Sequence, residues 1–206
     1  ELLGVDSVQA DIEVIALGQQ LFTALGLEQF VTLEINSLGD NESRDHYRKA
    51  LVTYLNNHRS NLSEDSQLRL EKNPLRILDS KSETDQAIIA GAPLMHDYFN
   101  ETSRNFFDSL TRGLTALGIA YTANPKLVRG LDYYSHTVFE FTTAALGSQN
   151  AVLAGGRYDG LIGLMGGNHT PGIGFASGVE RIIALREEAA KLSAPATIRP
   201  IALIPL

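Results

Sequence analysis

The stretch Arg129-Gly130-Leu131-Asp132-Tyr133-Tyr134 places a permanently charged planar donor beside two aromatic hydroxyls. A guanidinium forks onto phosphate or carboxylate, and tyrosines can wall a flat ring that carries polar nitrogens. The plainer reading is a surface turn with Arg129 paired to Asp132. A second segment, Ala154-Gly155-Gly156-Arg157-Tyr158-Asp159-Gly160, pairs glycines where backbone must approach something closely or take positive φ. Arg157, Tyr158 and Asp159 then stand at the start of an expected short helix. The alternative there is a tight turn with surface charges, and the lysine of a Walker-type phosphate cradle is missing. In the third segment, Gly172-Ile173-Gly174-Phe175-Ala176-Ser177-Gly178-Val179-Glu180-Arg181, small residues carry a strand into a helix. Free amides and the positive dipole end favour an anion there, Arg181 adds full charge, and the glycine spacing lets a flat base lie on the backbone. Close helix–sheet packing is the competing explanation.

The elements that must position these segments alternate between helix and strand. Asp6 to Leu25 carries Val14, Leu17, Leu21, Phe22 and Leu25 near a 3.6-residue period, capped by Asp6 or Ser7 and stopped by Gly26. Phe30 to Asn36 alternates as a half-buried antiparallel strand, with Val31, Leu33 and Ile35 on one face. Helices are then predicted over Asp40–Asn57, Ser63–Lys72, Ser82–Ala90 and Glu101–Leu117. The third of these opens on a Ser-x-x-Asp signal, and the last carries Phe106, Phe107, Leu110, Leu114 and Leu117 on one side. Strands return at Ile119–Ala123, Leu127–Val128, Thr137–Thr142, Gln149–Leu153 and Gly172–Ala176, followed by a helix over Ser177–Lys191. Strands on both sides of a helical block imply one sheet interrupted by an insertion.

The 206 residues are 44% hydrophobic and 20% charged, enough for one or two packed domains without long disordered tails. Cysteine is absent, which excludes disulfides, thiolate metal sites and cysteine nucleophiles, and suits a reducing cytoplasm. No run approaches the roughly 18 apolar residues of a membrane span. The net charge of −7 argues against bulk electrostatic binding of nucleic acid. His136 is read as a polar strand residue rather than a general base. His46, His58 and His96 lack the i, i+4 spacing of metal ligands, so no protein-held metal is expected. Glu1 opens the chain without a methionine, and Pro200–Leu206 reads as a strand without a partner. Both ends suggest a piece of a longer chain.

Together, and in this order, the three segments resemble the signatures of histidyl-tRNA synthetases, a family of class II aminoacyl-tRNA synthetases. Arg129 to Tyr134 with Thr137 to Glu140 resembles the first histidine-specific signature. Ala154 to Gly160 resembles the second, and Gly174 to Arg181 resembles class II motif 3. The resemblance implies an α+β fold: part of the class II antiparallel sheet with flanking helices, interrupted by a mostly helical insertion domain. The implied divisions are residues 1–40 and 119–194 for the catalytic core, 41–118 for the insertion, and 195–206 for a linker and the first strand of an anticodon-binding domain.

The implied reaction activates histidine with ATP to histidyl-adenylate and transfers it to the histidine tRNA. Arg129 matches an arginine beside the α-phosphate and the substrate carboxylate. Tyr134 and Tyr158 match tyrosines lining the histidine side-chain pocket, and Glu1 matches a glutamate that binds the substrate amino group. Arg181 matches the arginine that grips the ATP phosphates, while Gly178 gives the nucleotide room. Magnesium is expected to arrive with ATP. The homodimer-forming motif 1 and the ATP-gripping motif 2 are expected before Glu1, so this fragment alone is expected neither to aminoacylate nor to dimerise normally. By the same resemblance the helical block contacts the tRNA acceptor stem, although its charge is nearly balanced. The competing identity is the non-catalytic, synthetase-like regulatory subunit of ATP phosphoribosyltransferase, which lacks the insertion and erodes the signatures. A synthetase-like domain of a stress-sensing kinase is a second rival, disfavoured by the same intact segments.

Overall fold

The computed structural model describes residues 1–128, 133–147 and 150–193, with side chains as far as residue 190. In chain order the elements are β1 (Leu2–Leu3), α1 (Val8–Ala24), β2 (Thr32–Ser37), α2 (Asn41–Asn57), α3 (Glu64–Lys72), α4 (Glu83–Ile89), α5 (Glu101–Ala116), β3 (Thr122–Ala123), β4 (Ser135–Thr142), β5 (Ala151–Arg157), α6 (Leu161–Leu164), β6 (Gly172–Ser177) and α7 (Val179–Ser193). One six-stranded sheet runs in the order β1-β6-β5-β4-β2-β3. Every neighbouring pair is antiparallel except β2 with β3. That parallel pair needs a long connection, and the four helices α2 to α5 provide it. The α+β expectation holds, with the sheet interrupted by helices.

Strand alternation sorts the two faces of the sheet. Leu33, Ile35, Phe139, Phe141 and Leu153 join Val14, Ile15 and Phe22 of α1, Leu110 and Leu114 of α5, and Leu185 of α7 in one buried core. Burying each such side chain fully contributes roughly 1.5–3 kcal/mol. The buried stripe of α1 differs from the one expected. Leu17 is 56% exposed, while Asp11 and Gly18 lie on the buried side. Gly18 is there because Phe141 packs against it, so that an added Cβ would lie 2.9 Å from the ring.

A second core gathers Tyr47, Leu51 and Leu55 of α2, Leu62, Leu70, Ile77, Ile88, Met95 and Phe99. Helix α5 packs with the sheet through Leu110 and Leu114, and Phe107 touches both cores. The N-terminal ends of α2 and α5 are clasped together. Asp40 accepts from Ser43 N at 2.8 Å and Asn100 Nδ2 at 2.7 Å, while Ser103 Oγ accepts from Asp40 N at 2.9 Å. The helical excursion between residues 40 and 100 therefore begins and ends at one point.

Within the helical block, Ser82 makes no side-chain cap, contrary to the Ser-x-x-Asp signal. Asp85 is instead fully buried and accepts from Ser63 N (2.8 Å), Ser63 Oγ (2.7 Å), Ser66 Oγ (2.7 Å) and Ser80 Oγ (2.6 Å). Burial alone would raise its pKa, but these donors outweigh it and hold the carboxyl at about 2, below its ordinary 3.8. Because the folded value is the lower one, the stabilisation is complete above the unfolded value and is lost as pH falls through about 2. Asp85→Ala strands three hydroxyls and an amide, and should cost about 2–4 kcal/mol at neutral pH. Urea unfolding followed by circular dichroism measures this, and the deficit of the variant should shrink in acid.

Two expected strands are shorter or absent. Only Thr122–Ala123 of the stretch 119–123 pairs, with Glu34 and Ile35. Leu127–Val128 forms no strand, because Leu127 N closes a turn onto Asn124 O at 3.0 Å and Leu127 O receives Asn36 Nδ2 at 2.9 Å. The expected strand at 200–206 lies outside the described residues.

Candidate functional site

The paired glycines of the second segment stand inside β5 rather than in a turn, and close approach explains them. Gly156 pairs with Gly174, and Ala154 with Ala176, so small residues line the sheet face opposite the helical core. A Cβ on Gly156 would sit 2.7 Å from Tyr134 Cδ1 and 2.8 Å from Thr137 O. A Cβ on Gly174 would collide with the carboxylate of Glu1, and one on Gly172 with the ring of Tyr158. The glycines form a floor, and Tyr134, Tyr158 and Glu1 rest on it.

These side chains touch one another. Tyr158 donates its hydroxyl to the Glu1 carboxylate. Tyr133 meets Tyr134 at 4.6 Å and stands edge-on to Tyr158 at 6.1 Å between ring centroids. Burial, and then the Glu1 carboxylate, push the Tyr158 hydroxyl well above its ordinary pKa, so it keeps its proton. The result is an aromatic wall with an anionic acceptor at its edge, suited to a small flat cation or a ring bearing N–H groups.

Gly178 and Arg181 stand at the other end of the same floor. Gly178 N donates to Val152 O at 3.2 Å, and the stem of Arg181 lies over Gly178, with its Cδ 3.0 Å from where a Cβ would be. The register from Arg157↔Ile173 to Leu153↔Ser177 separates the two ends by four residues, roughly 14 Å of strand. Arg181 lies in the first turn of α7, where the positive end of the helix adds to its charge. Arg129 lies outside the described residues. Glu1, Tyr134 and Tyr158 are thus brought together, with Gly178 and Arg181 along one strip from them.

Beneath this strip lies a buried ion pair that the sequence reading did not assign. Arg157 and Asp11 are both fully buried. Arg157 Nε donates to Asp11 Oδ2 at 3.0 Å and Nη2 donates to the same oxygen and to Ser7 O, while Nη1 donates to Val5 O at 3.2 Å and to Asp159 Oδ1 at 2.9 Å. Burial disfavours the guanidinium charge, but Asp11 outweighs it and holds the pKa above its ordinary value. One signal was available, a carboxylate on the buried face of α1 between Ala10 and Val14.

His136 lies at an irregularity in the pairing of β4 with β5, with φ at 47°, and its ring stacks on Phe106 at 4.5 Å. Burial lowers its pKa, so it is held neutral. Among the described residues no three histidine, aspartate or glutamate side chains gather as a metal-ligand group.

The family model described as histidyl-tRNA synthetase matches residues 1–182. The chain belongs to the histidyl-tRNA synthetase family. A histidine–tRNA ligase of Rhodospirillum rubrum is 58% identical over 205 residues, covering 100% of this chain and 48% of its own length. One from Wolbachia pipientis subsp. Culex pipiens is 57% identical over 201 residues, covering 98% and 49%. Among solved structures, apo histidyl-tRNA synthetase of S. aureus superposes with a TM-score of 0.73 at 36% identity, covering 91% of this chain and 46% of that one. The chain therefore spans about half the length of the curated relatives it matches. Its sheet and flanking helices are those of the class II synthetase fold.

Proposed function

We propose that the full-length protein containing this chain is a histidine–tRNA ligase. The observation that carries the reading is the joined pair of Glu1 and Tyr158 on the glycine floor, one strip away from Arg181. In this reading the histidine side chain lies against the tyrosines, and the nucleotide lies along Ala154 and Ala176 toward Gly178 and Arg181. In the first step a carboxylate oxygen of histidine attacks the α-phosphorus of ATP, and the bond to the β-phosphate breaks to release pyrophosphate. In the second step a ribose hydroxyl at the tRNA terminus attacks the acyl carbon, and AMP departs. Negative charge develops on phosphate oxygens in the first step and on the acyl oxygen in the second, so positioning and charge stabilisation supply the catalysis.

Arg129 takes the place beside the α-phosphate and the substrate carboxylate, and ATP enters with magnesium as part of the substrate. The bond from Tyr158 places the Glu1 carboxylate at the aromatic wall, where it accepts from the bound histidine, its amino group included. The divisions at 1–40, 41–118, 119–194 and 195–206, a homodimer of the full-length protein and a cytoplasmic location belong to the same proposal. Among the described residues no helix is long and apolar enough to cross a membrane. The regulatory paralogue of ATP phosphoribosyltransferase is not favoured, since the relatives above are named as ligases. The test is transfer of labelled histidine to a histidine tRNA by the full-length protein; absence of transfer by a folded, ATP-binding preparation would contradict the reading.

For the helical block we propose contact with the tRNA acceptor stem. A cleft of about 240 Å³ lined by Arg44, Arg48 and Lys72 opens beside Tyr134. Arg44 is committed to the site, its Nη1 donating to Tyr134 O at 2.6 Å. Arg48 and Lys72 are exposed, as is Lys49 on the same helix as Arg48. Reversing both Arg48 and Lys72 to glutamate should raise the KM for tRNA by about tenfold at low salt, with the effect shrinking as salt rises. An unchanged KM would exclude this face.

A further inference from the structure

We propose that Arg157 is a positioning residue for the histidine pocket, setting the relation of Glu1 to Tyr158 from the opposite face of the sheet; this rests on the reading of that pocket above. Strand β6 separates β1 from β5, so Glu1 and Tyr158 flank the ends of strands that do not pair. Arg157 immediately precedes Tyr158 and points the other way, into the core, where its guanidinium also lies 5.3 Å over the ring of Phe106. All five of its N–H groups are engaged. Three go to Asp11 and Ser7 O, at and just before α1, one goes to Val5 O in the loop leaving β1, and one goes to Asp159. Asp159 Oδ1 in turn accepts from Gly172 N at 3.3 Å, at the start of the intervening strand. One planar fork thus ties the segment that carries Glu1, the loop that carries Tyr158 and the edge of β6 together.

Asp159 is the one partner of Arg157 that can be removed without opening the core, because its side chain is a quarter exposed. In the full-length protein, Asp159→Ala and Arg157→Lys are compared with wild type by ATP–pyrophosphate exchange, titrating histidine and ATP separately, with thermal melts beside them. The expected result for Asp159→Ala is a histidine KM raised about tenfold, an ATP KM changed less than about twofold, and a melt close to wild type. Arg157→Lys, where it folds, should shift the histidine KM further in the same direction. A histidine KM unchanged in Asp159→Ala, or histidine and ATP KM values rising together, would overturn the proposal. Wild-type protein without histidine-dependent exchange would instead remove the reading of the pocket on which it stands.

Discussion

Asp11→Ala is expected to cost about 3–5 kcal/mol of folding stability, the penalty for stripping one partner from a buried ion pair. The cause is the charge left behind. Arg157 stays buried, and two of its donors lose their carboxylate, leaving Asp159 as its one carboxylate partner beside the carbonyls of Val5 and Ser7. Asp11→Asn should cost less than alanine, because an amide oxygen still accepts one bond. Replacing Asp11 and Arg157 together with leucine and methionine should recover much of the loss in stability, since it removes both desolvation costs. Urea denaturation of the single and double variants measures the difference. A loss below about 1 kcal/mol for Asp11→Ala would mean that the pair is not held as described.

Gly174→Ala should fall on binding rather than on folding. The three atoms nearest to an added methyl all belong to the Glu1 carboxylate, the free end of a flexible side chain. That end can swing aside, so the fold survives, but Glu1 leaves Tyr158 and the wall loses its acceptor. Overpacking of this kind costs roughly 1–3 kcal/mol, which here would appear as a histidine KM raised about 10- to 100-fold. Gly156→Ala makes the contrast. Its methyl would press on Thr137 O as well as on Tyr134, and backbone cannot swing aside, so that variant should lose thermal stability too. The comparison needs melts and histidine titrations of both variants. Equal histidine KM values for Gly174→Ala and wild type would place Glu1 elsewhere than on the floor.

Much of the architecture was legible because local rules decide it. The helix starts at Asp40, Ser63 and Glu101, the stops at Gly26 and Gly118, and the alternation through Thr137–Thr142 are written in neighbouring residues. What stayed hidden depends on partners far along the chain. Asp11 and Arg157 lie 146 residues apart, and nothing near either names the other. Asp85 looked like part of a capping signal, yet Ser63 and Ser66, on another helix, claim it. Gly155 and Gly156 were read as a possible turn because glycine pairs usually punctuate strands. Here β5 runs straight through them, since its floor must lie against Tyr134 on one face and Phe139 and Phe175 on the other. Leu17 fitted the helical period but faces outward, because a stripe that includes Asp11 rotates the buried face of α1.

The site was legible in its residue types and not in its geometry. Tyrosines, glycines and an arginine in the three segments implied a ring ligand and a phosphate. That Glu1 meets Tyr158 across β6 follows only from the strand order. Likewise, Arg181 and Tyr158 come to lie at the two ends of one strip of the sheet only once β5 and β6 are paired in register.

The most direct measurement is histidine-dependent ATP–pyrophosphate exchange by the full-length protein, beside its Arg129→Ala variant. Exchange that requires histidine in the wild type, and falls by about a hundredfold or more in the folded variant, is the predicted result. A folded wild-type protein that binds ATP but shows no histidine-dependent exchange would contradict the claim that this glycine-floored pocket activates histidine.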